Sequence, residues 1–583
     1  MGIVSGVTKK NPLDANSGKA LYARIGWQFW VVAMSLPWLL PTHADPWASF
    51  YSEFLFAVVW VPLFAWAGLA SKQPWKISWP VIFLMSISVV PAAQALTGLL
   101  VFPSEALLLM AYIIAFASSV SLGQRAQEVE PYRLVDGLFA SLIIASLLSV
   151  GIALYQWFGL DMLGVLVPLT GEGGRAAANV AQPNNLCTLL VWGLLALWWG
   201  YFRRHIGGLC ATFCAAFFLI GIALTGSRTG WVQLVFLAFF SFFARGLLNT
   251  KRQAVSLVFL MVWFCVWVVA LVPVGEFFWG AASRDISQMF TAGSRLKFWV
   301  MALEAIADKP VFGYGWNQVV TAHVALSERF SGVNETMGHA HNILLDLLLW
   351  NGVFLGGLIV GGCMWWGCRQ VRLVESSLHL LLMLALGVFL IHAMLELPHM
   401  YSFFLFPVGA MIGIVSALKP VRALFVVSRA VGLCVVLVFS AFLVAMFGDY
   451  KLIEAELAAR RMLAAKIYGA EPPPPSRAMV LQGLQDALNF MSVKPGRGMS
   501  STELGDMHRA VVRYPETGGL FRYAQSAALN GRAGEARWAL GVICNLHSSN
   551  VCDSTINDWK SISALEGQEM SSVILPAVPK VSR

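Results

Sequence analysis

Four groups of polar residues in this chain combine side chains that could move a proton with side chains that could hold an anion. Gly174 and Arg175 precede Asn179, Gln182, Pro183, Asn184 and Asn185. A second group is Thr225-Gly226-Ser227-Arg228-Thr229-Gly230, and a third is Gly293-Ser294-Arg295, followed by Trp299, Pro310, Gly313 and Gly315. The fourth is His339-Ala340-His341-Asn342, with Glu396, His399 and Tyr401 further on. An arginine fork grips a phosphate with two parallel hydrogen bonds, and a histidine can take a proton from a hydroxyl near neutral pH. Each group also has a plain structural reading. Asn and Gln beside a proline cap helix starts, a lone arginine reaches for lipid headgroups, and two histidines at a helix start cap it or hold a fortuitous metal. The chemical reading gains weight if all four groups lie on one side of the molecule, which depends on the elements that carry them.

Those elements are membrane helices. The chain has 583 residues, 58% of them hydrophobic and 12% charged, with a mean hydropathy of +0.69. That leaves too little polar surface to coat the several soluble domains its length would otherwise imply, and it excludes a disordered, collagen-like or disulfide-built chain. Apolar runs of about 20 residues predict spans near 25–40, 51–70, 80–101, 104–122, 134–158, 183–202, 209–224, 230–248, 254–274, 341–363, 378–398, 402–418 and 424–446, an all-α bundle of thirteen helices. The first run is no cleavable signal, because Trp27, Trp30 and Trp38 are bulky and Pro41-Thr42-His43 follows. Lys and Arg gather in alternate connections: the N-terminal tail, then Lys72 and Lys76, Arg125 and Arg133, Arg203 and Arg204, Arg245 to Arg252, Arg369 and Arg372, and Lys419 to Arg429. The opposite short connections hold little beyond Arg175 and Arg228. By the positive-inside rule the N-terminus is cytoplasmic and the C-terminus lies across the membrane. The net charge of +9 is then a topology signal and not a nucleic-acid footprint.

The domain reading is a cytoplasmic tail over 1–24, a membrane catalytic domain over 25–449 that includes an outer loop over 274–340, and an outer helical domain over 450–583. A long loop inside a compact membrane domain is usually functional. In the C-terminal domain a helix from Tyr450 to Tyr468 stops at Pro472-Pro473-Pro474-Pro475; Leu520 to Leu529, a turn at Asn530-Gly531, and Ala536 to Cys544 then read as a tetratricopeptide-like hairpin or a generic one. Cys544 and Cys552 lie where disulfides are permitted, and their pairing is left open. No Cys-x-x-Cys pair, Walker loop or His-Glu-x-x-His helix occurs, so metal hydrolysis and nucleotide-driven pumping find no support.

His341-Asn342-Ile343-Leu344-Leu345-Asp346 with Gly352 and Gly356, preceded by Arg295 to Trp299 and by Lys309 to Trp316, resembles the bacterial O-antigen ligase and polymerase superfamily. Gln182-Pro183-Asn184-Asn185, Pro41-Thr42-His43 with Pro46-Trp47, and the large tail resemble its protein O-oligosaccharyltransferases of the PglL and PilO type. The resemblance implies en bloc transfer of a glycan from undecaprenyl pyrophosphate to Ser or Thr hydroxyls of periplasmic proteins such as pilins. It implies an enzyme of the inner membrane with its site and C-terminus in the periplasm and no cofactor or metal. It places the essential histidine on His341, with His339 as a near neighbour; the phosphate arginines on Arg228 and Arg295, with Arg175 close by; and the polar residues of the protein-glycosylating branch on Gln182 and Tyr401.

The residues suit that reaction. Pyrophosphate departs readily once its charge is neutralised, which arginines provide, whereas a hydroxyl nucleophile needs a base. A histidine at a helix start is held neutral by the dipole. Asp346, five residues on, points about 140° away around the helix and is a poor partner for the ring, so the group that orients His341 is left open. The tail carries none of the matched motifs and is expected to engage the acceptor protein. The rivals are ligation to lipid A core, polymerisation of O-antigen repeats, and, in another class, a transporter or flippase, which should instead carry midplane charges and internal repeats.

Overall fold

The computed structural model describes residues 25–168, 175–243, 251–279, 295–330, 336–419, 423–467, 469, 471, 477–566 and 568–576. The tail 1–24, Gly174, Gly293, Ser294 and the prolines at 472–475 lie outside the described residues. Backbone N–H and C=O groups find no water in a bilayer, so apolar runs of this length close their hydrogen bonds internally as helices. Nine helices among the described residues are long and apolar enough to cross: Phe50–Leu69, Trp79–Leu96, Glu105–Val129, Arg133–Trp157, Pro183–Phe202, Gly208–Thr225, Val258–Phe278, Ile343–Arg372 and Arg429–Ala464. The other four expected spans are shorter as described: 25–35, Arg228–Phe243, Ser377–Ala393 and Ser402–Ala417. The run expected to reach 398 leaves its helix at Ala393, because Glu396-Leu397-Pro398 turns the chain away. This is a multi-pass helical membrane protein. The all-α expectation needs one amendment: Trp75–Ile77 pairs antiparallel with Phe425–Val427, two three-residue strands too short to carry an alternating pattern.

The chain packs as two units. One gathers the described residues of 1–43, 49–71 and 126–285. In it, small residues let helices approach closely: Gly193 lies against Ser146 and Phe218, and Gly221 against Val150 and Leu190. The Arg133 guanidinium rests 4.7 Å from the Trp27 ring and 5.5 Å from Trp66.

The other unit gathers 44–48, 72–125 and 286–583. Here Gly123 and Gly413 bring Glu105–Val129 and Ser402–Ala417 to backbone contact, where a Cβ on either would collide with the Ala410 or Val120 carbonyl. The loop expected over 274–340 is largely built structure. Helices Arg295–Asp308 and Val319–Ala325 bury Phe298, Met301, Ala302, Val319 and Ala322 against Leu349 and Trp350. The tail is continuous with the membrane helix before it, since Arg429–Ala464 runs unbroken for 36 residues across the boundary expected near 449. From that helix Asp449 Oδ2 accepts the amides of Met479, Val480 and Leu481 at 2.9, 2.5 and 3.0 Å, fixing where the next helix, Gln482–Met491, begins.

Beyond it, Ser501–Arg513, Thr517–Leu529, Ala533–Leu546 and Ser549–Glu566 enclose a core of Leu520, Tyr523, Leu540, Ile543 and Trp559, which Val324 of the loop joins. Cys544 and Cys552 are disulfide-bonded. Arg513 Nε meets both Glu105 oxygens at 3.2 Å, and the Tyr514 hydroxyl donates to the same carboxylate at 3.1 Å.

Candidate active site

The helix Ile343–Arg372 is broken nine residues in. Gly352, at φ 74° and ψ 174°, leaves the helical path, and the segment from Lys309 to Trp316 runs past the gap. The amides of Tyr314 and Gly315 donate to the Leu349 and Trp350 carbonyls at 2.8 and 3.1 Å, while the Val353 amide donates to Pro310 O at 2.8 Å. Gln94 completes the crossing, accepting the Trp316 amide at 2.8 Å and donating to Trp350 O and Asn351 Oδ1 at 3.0 and 3.2 Å. Broken helices survive at membrane depth only when freed backbone groups are answered in this way. The crossing fixes the start of the helix, and the loop carrying the two histidines, relative to the helix Arg295–Asp308.

His341 precedes the N-cap. Asn342 caps the helix, its Oδ1 accepting from Leu344 and Leu345 at 3.0 and 3.3 Å, and His341 sits before it at φ 50°, a left-handed setting unusual for a residue with a Cβ. Its Nδ1 lies 2.8 Å from Glu396 Oε2, and its ring stacks on Phe298 at 5.9 Å between centroids and 10° between planes. Arg295, one turn before Phe298, is ion-paired with Glu396 Oε1. Side-chain exposure orders the three: Glu396 is 7% exposed, His341 24% and Arg295 26%, so the carboxylate is the buried support and the other two face outward. Burial alone would raise the Glu396 carboxyl, but the hydrogen bond from His341 and the charges of His341 and Arg295 outweigh it and hold the group at about 2. Glu396 is therefore an anion at any physiological pH.

Glu396 is the orienting group that the sequence left open. It belongs to the fourth group of polar residues, and the signal for its role was an acid in an otherwise apolar run, costly unless paired. Asp346 is not hydrogen-bonded to the ring; its Oδ1 accepts the Ala340 amide at 2.8 Å. His339 has no hydrogen bond to Glu396. Its Nδ1 is buried without a partner, and burial, aided by the charges of His341 and Arg513, lowers it to about 4. Burial likewise lowers His399 to about 3, helped by the histidines at 339 and 392. Tyr401 occupies the N-cap position of Ser402–Ala417 and stacks on Phe403 at 5.1 Å.

The first two groups meet in the other unit. Arg175 donates from Nε to Thr225 O at 2.8 Å and from a terminal nitrogen to Asn184 Oδ1 at 3.4 Å; Ser227 donates to the same Asn184 oxygen at 2.7 Å. Ser227 Oγ also accepts the Gly230 amide at 3.3 Å, so Arg228 begins its helix from a fixed turn. Gln182 holds the N-cap position of Pro183–Phe202. Asn179 is structural, donating to Leu39 O and Leu166 O at 2.8 and 3.0 Å. Arg175, Gln182 and Arg228 thus lie in one unit, and Arg295, His339, His341 and Tyr401 in the other.

Two family models and two relatives match this chain. A family model described as O-antigen ligase matches residues 213–360, the stretch holding Arg228, Arg295, His339 and His341. A second, for the C-terminal part of a virulence-factor membrane-bound polymerase, matches 380–551, which holds Glu396 and Tyr401. A general O-oligosaccharyltransferase of Acinetobacter baylyi (strain ATCC 33305 / BD413 / ADP1) is 28% identical over 553 residues, covering 91% of this chain and 94% of that protein. A ComP-specific O-oligosaccharyltransferase of the same strain is 25% identical over 365 residues, 61% of this chain and 65% of that protein. Residues 213–360 of the chain thus match the O-antigen ligase family model, and along nearly its whole length the chain is similar to a general O-oligosaccharyltransferase.

Proposed function

We propose that this chain is a protein O-oligosaccharyltransferase that moves a preassembled glycan en bloc from undecaprenyl pyrophosphate to Ser or Thr hydroxyls of periplasmic proteins, pilin-like ones among them. The observation that carries the reading is the His341–Glu396 pair. With the Nδ1 proton donated to Glu396, the other ring nitrogen keeps its lone pair for the acceptor hydroxyl. As the oxygen attacks the sugar carbon, the proton passes to His341, and the fixed anion of Glu396 stabilises the imidazolium that results. The bond to the pyrophosphate breaks, and arginine charge compensates the departing anion. Arg228 and Arg175 serve that end; Arg295, already shared with Glu396, ties the pyrophosphate-binding charge to the base. Gln182 and Tyr401 are assigned to acceptor and donor positioning. The protein acceptor is favoured over lipid A core or a growing O-antigen by the two relatives named O-oligosaccharyltransferases.

In the same reading the enzyme sits in the inner membrane with thirteen crossings, the N-terminus cytoplasmic, and the site and the tetratricopeptide-like tail periplasmic. Reporter fusions after Arg204 and after Tyr450 should report cytoplasm and periplasm respectively, and the same side for both overturns the topology. The function is tested by co-expression with a lipid-linked glycan and candidate periplasmic proteins, followed by intact-mass measurement. The expected result is one glycan mass added to a protein, reduced about 10²–10⁴-fold by His341→Ala while donor binding persists. Glycan added only to lipid A core, or longer O-antigen chains, would assign the chain to the ligase or polymerase branch.

A further inference from the structure

The segment 336–342 has no regular secondary structure, yet two of its residues are buried: Met337 is 1% exposed and Ala340 0%. Buried amides need acceptors, and two here are answered by side chains from separate helices. His323, 1% exposed, accepts the Met337 amide on Nδ1 at 3.1 Å. Asp346, 0% exposed, accepts the Ala340 amide on Oδ1 at 2.8 Å. The next residue is His341 at φ 50°. A left-handed residue with a Cβ persists only where its surroundings over-determine it, and the two acceptors bracket the turn that sets it. Burial holds His323 down at about 4, so at neutral pH its ring can accept. Neither side chain is hydrogen-bonded to the His341 ring, whose Nδ1 partner is Glu396.

We infer that His323 and Asp346 are positioning residues for the base: they accept the amides of Met337 and Ala340 and thereby fix the turn that presents His341 to Glu396. The inference rests on His341 acting as the base in the proposed transfer. It assigns Asp346 a role through its acceptor oxygen and not through its charge, and it gives a histidine of the outer loop a part in catalysis without contact with substrate.

The test uses the full-length chain in proteoliposomes, with a lipid-linked oligosaccharide and an acceptor protein that the wild type glycosylates. Asp346→Ala and His323→Leu remove an acceptor; Asp346→Asn and His323→Asn keep one. The removing variants should lose about 10–100-fold in kcat, in line with the cost of misplacing a catalytic group by about 1 Å, with donor KM within about twofold. Amide hydrogen exchange of the peptide covering 336–342 should accelerate in them. The asparagine variants should stay within about threefold of wild type and keep slow exchange. Wild-type kcat in the removing variants overturns the inference, and so does a folded asparagine variant as inactive as its partner. If a removing variant fails to fold, the asparagine result still decides. A wild type that transfers no glycan defeats the proposed function, whereas the exchange pattern reports on the bracket independently of activity.

Discussion

Glu396 gives one oxygen to a guanidinium and the other to an imidazole, and replacing its charge separates two effects. Glu396→Gln keeps a polar partner for His341 but removes the anion that stabilises the imidazolium and leaves Arg295 without its counter-ion. Loss of the carboxylate behind a catalytic histidine costs on the order of 10⁴ in kcat in serine proteases, so a fall of about 10²–10⁴ is expected, measured as initial rates of glycan transfer with donor binding unchanged. Titration gives an independent check. Glu396 is depressed to about 2, so its contribution to stability is complete above the ordinary carboxylate value and is lost as pH falls towards 2. The buried histidines at 323, 339 and 399 are depressed to about 4, 4 and 3. Below the ordinary histidine value the unfolded chain takes up protons that the fold refuses, so thermal stability should decline from pH 6.5 to 4, well before Glu396 titrates. His323→Asn should flatten part of that decline. Residue type and apolar context placed His341 and Glu396 in one polar group and Arg295 in another, without assigning Glu396 a role. That Glu396 and His341, 55 positions apart, meet is a property of the fold, and no spacing rule carries it.

The crossing at Gly352 is the element most exposed to a single substitution. A Cβ there would collide with the Val311 carbonyl, and one at Gly313 (φ 70°) with the Leu349 carbonyl. Both positions also hold a backbone conformation that costs about 1–3 kcal/mol for other residues. Gly352→Ala and Gly313→Ala should each lower the melting temperature of the purified protein and cut transfer, whereas Gly357→Ala, with nothing within 4 Å, should do neither. Equal stability in all three would remove the crossing from the account. The sequence marked these glycines as part of a motif but not what they accommodate, because the partners come from a distant part of the chain and Gln94 supplies amide groups across 256 residues. Long apolar helices were legible because crossing lipid imposes a minimum apolar length; Ser402–Ala417 was read nearly to the residue, whereas the run ending at Ala393 was overextended because a turn at Glu396 to Pro398 ends it, and the two three-residue strands carry no such signal.

At the scale of the molecule, the tail reads differently from the sequence than from the structure. Lacking the motifs, it was expected to serve the acceptor alone. Yet Val324, the neighbour of His323, lies in the tail's core, and Arg513 holds Glu105 with only 10% and 14% of the two side chains exposed. Removing one member of a buried pair costs about 3–5 kcal/mol, whereas replacing both with apolar residues is often nearly neutral. Glu105→Leu alone should therefore destabilise the protein in thermal unfolding, and Glu105→Leu with Arg513→Met should recover much of the loss. An additive pair would mean the two do not interact. Deleting Pro472 to Arg583 should abolish donor hydrolysis along with transfer, since it strips the support from the helix that holds Met337. Retained hydrolysis would return the tail to acceptor recruitment alone.

The unbroken helix Arg429–Ala464 also ties the C-terminal helices to the lipid around it. At 1.5 Å per residue its 36 residues make a rod of roughly 54 Å, against a hydrocarbon core of about 30 Å. A helix answers a thinner bilayer by tilting, and a rod without a hinge carries that tilt to Asp449 and Glu456, where the C-terminal helices are fastened. Acyl-chain length in reconstituted vesicles should therefore alter turnover even when donor and acceptor are saturating, which makes membrane thickness a physical variable of this enzyme.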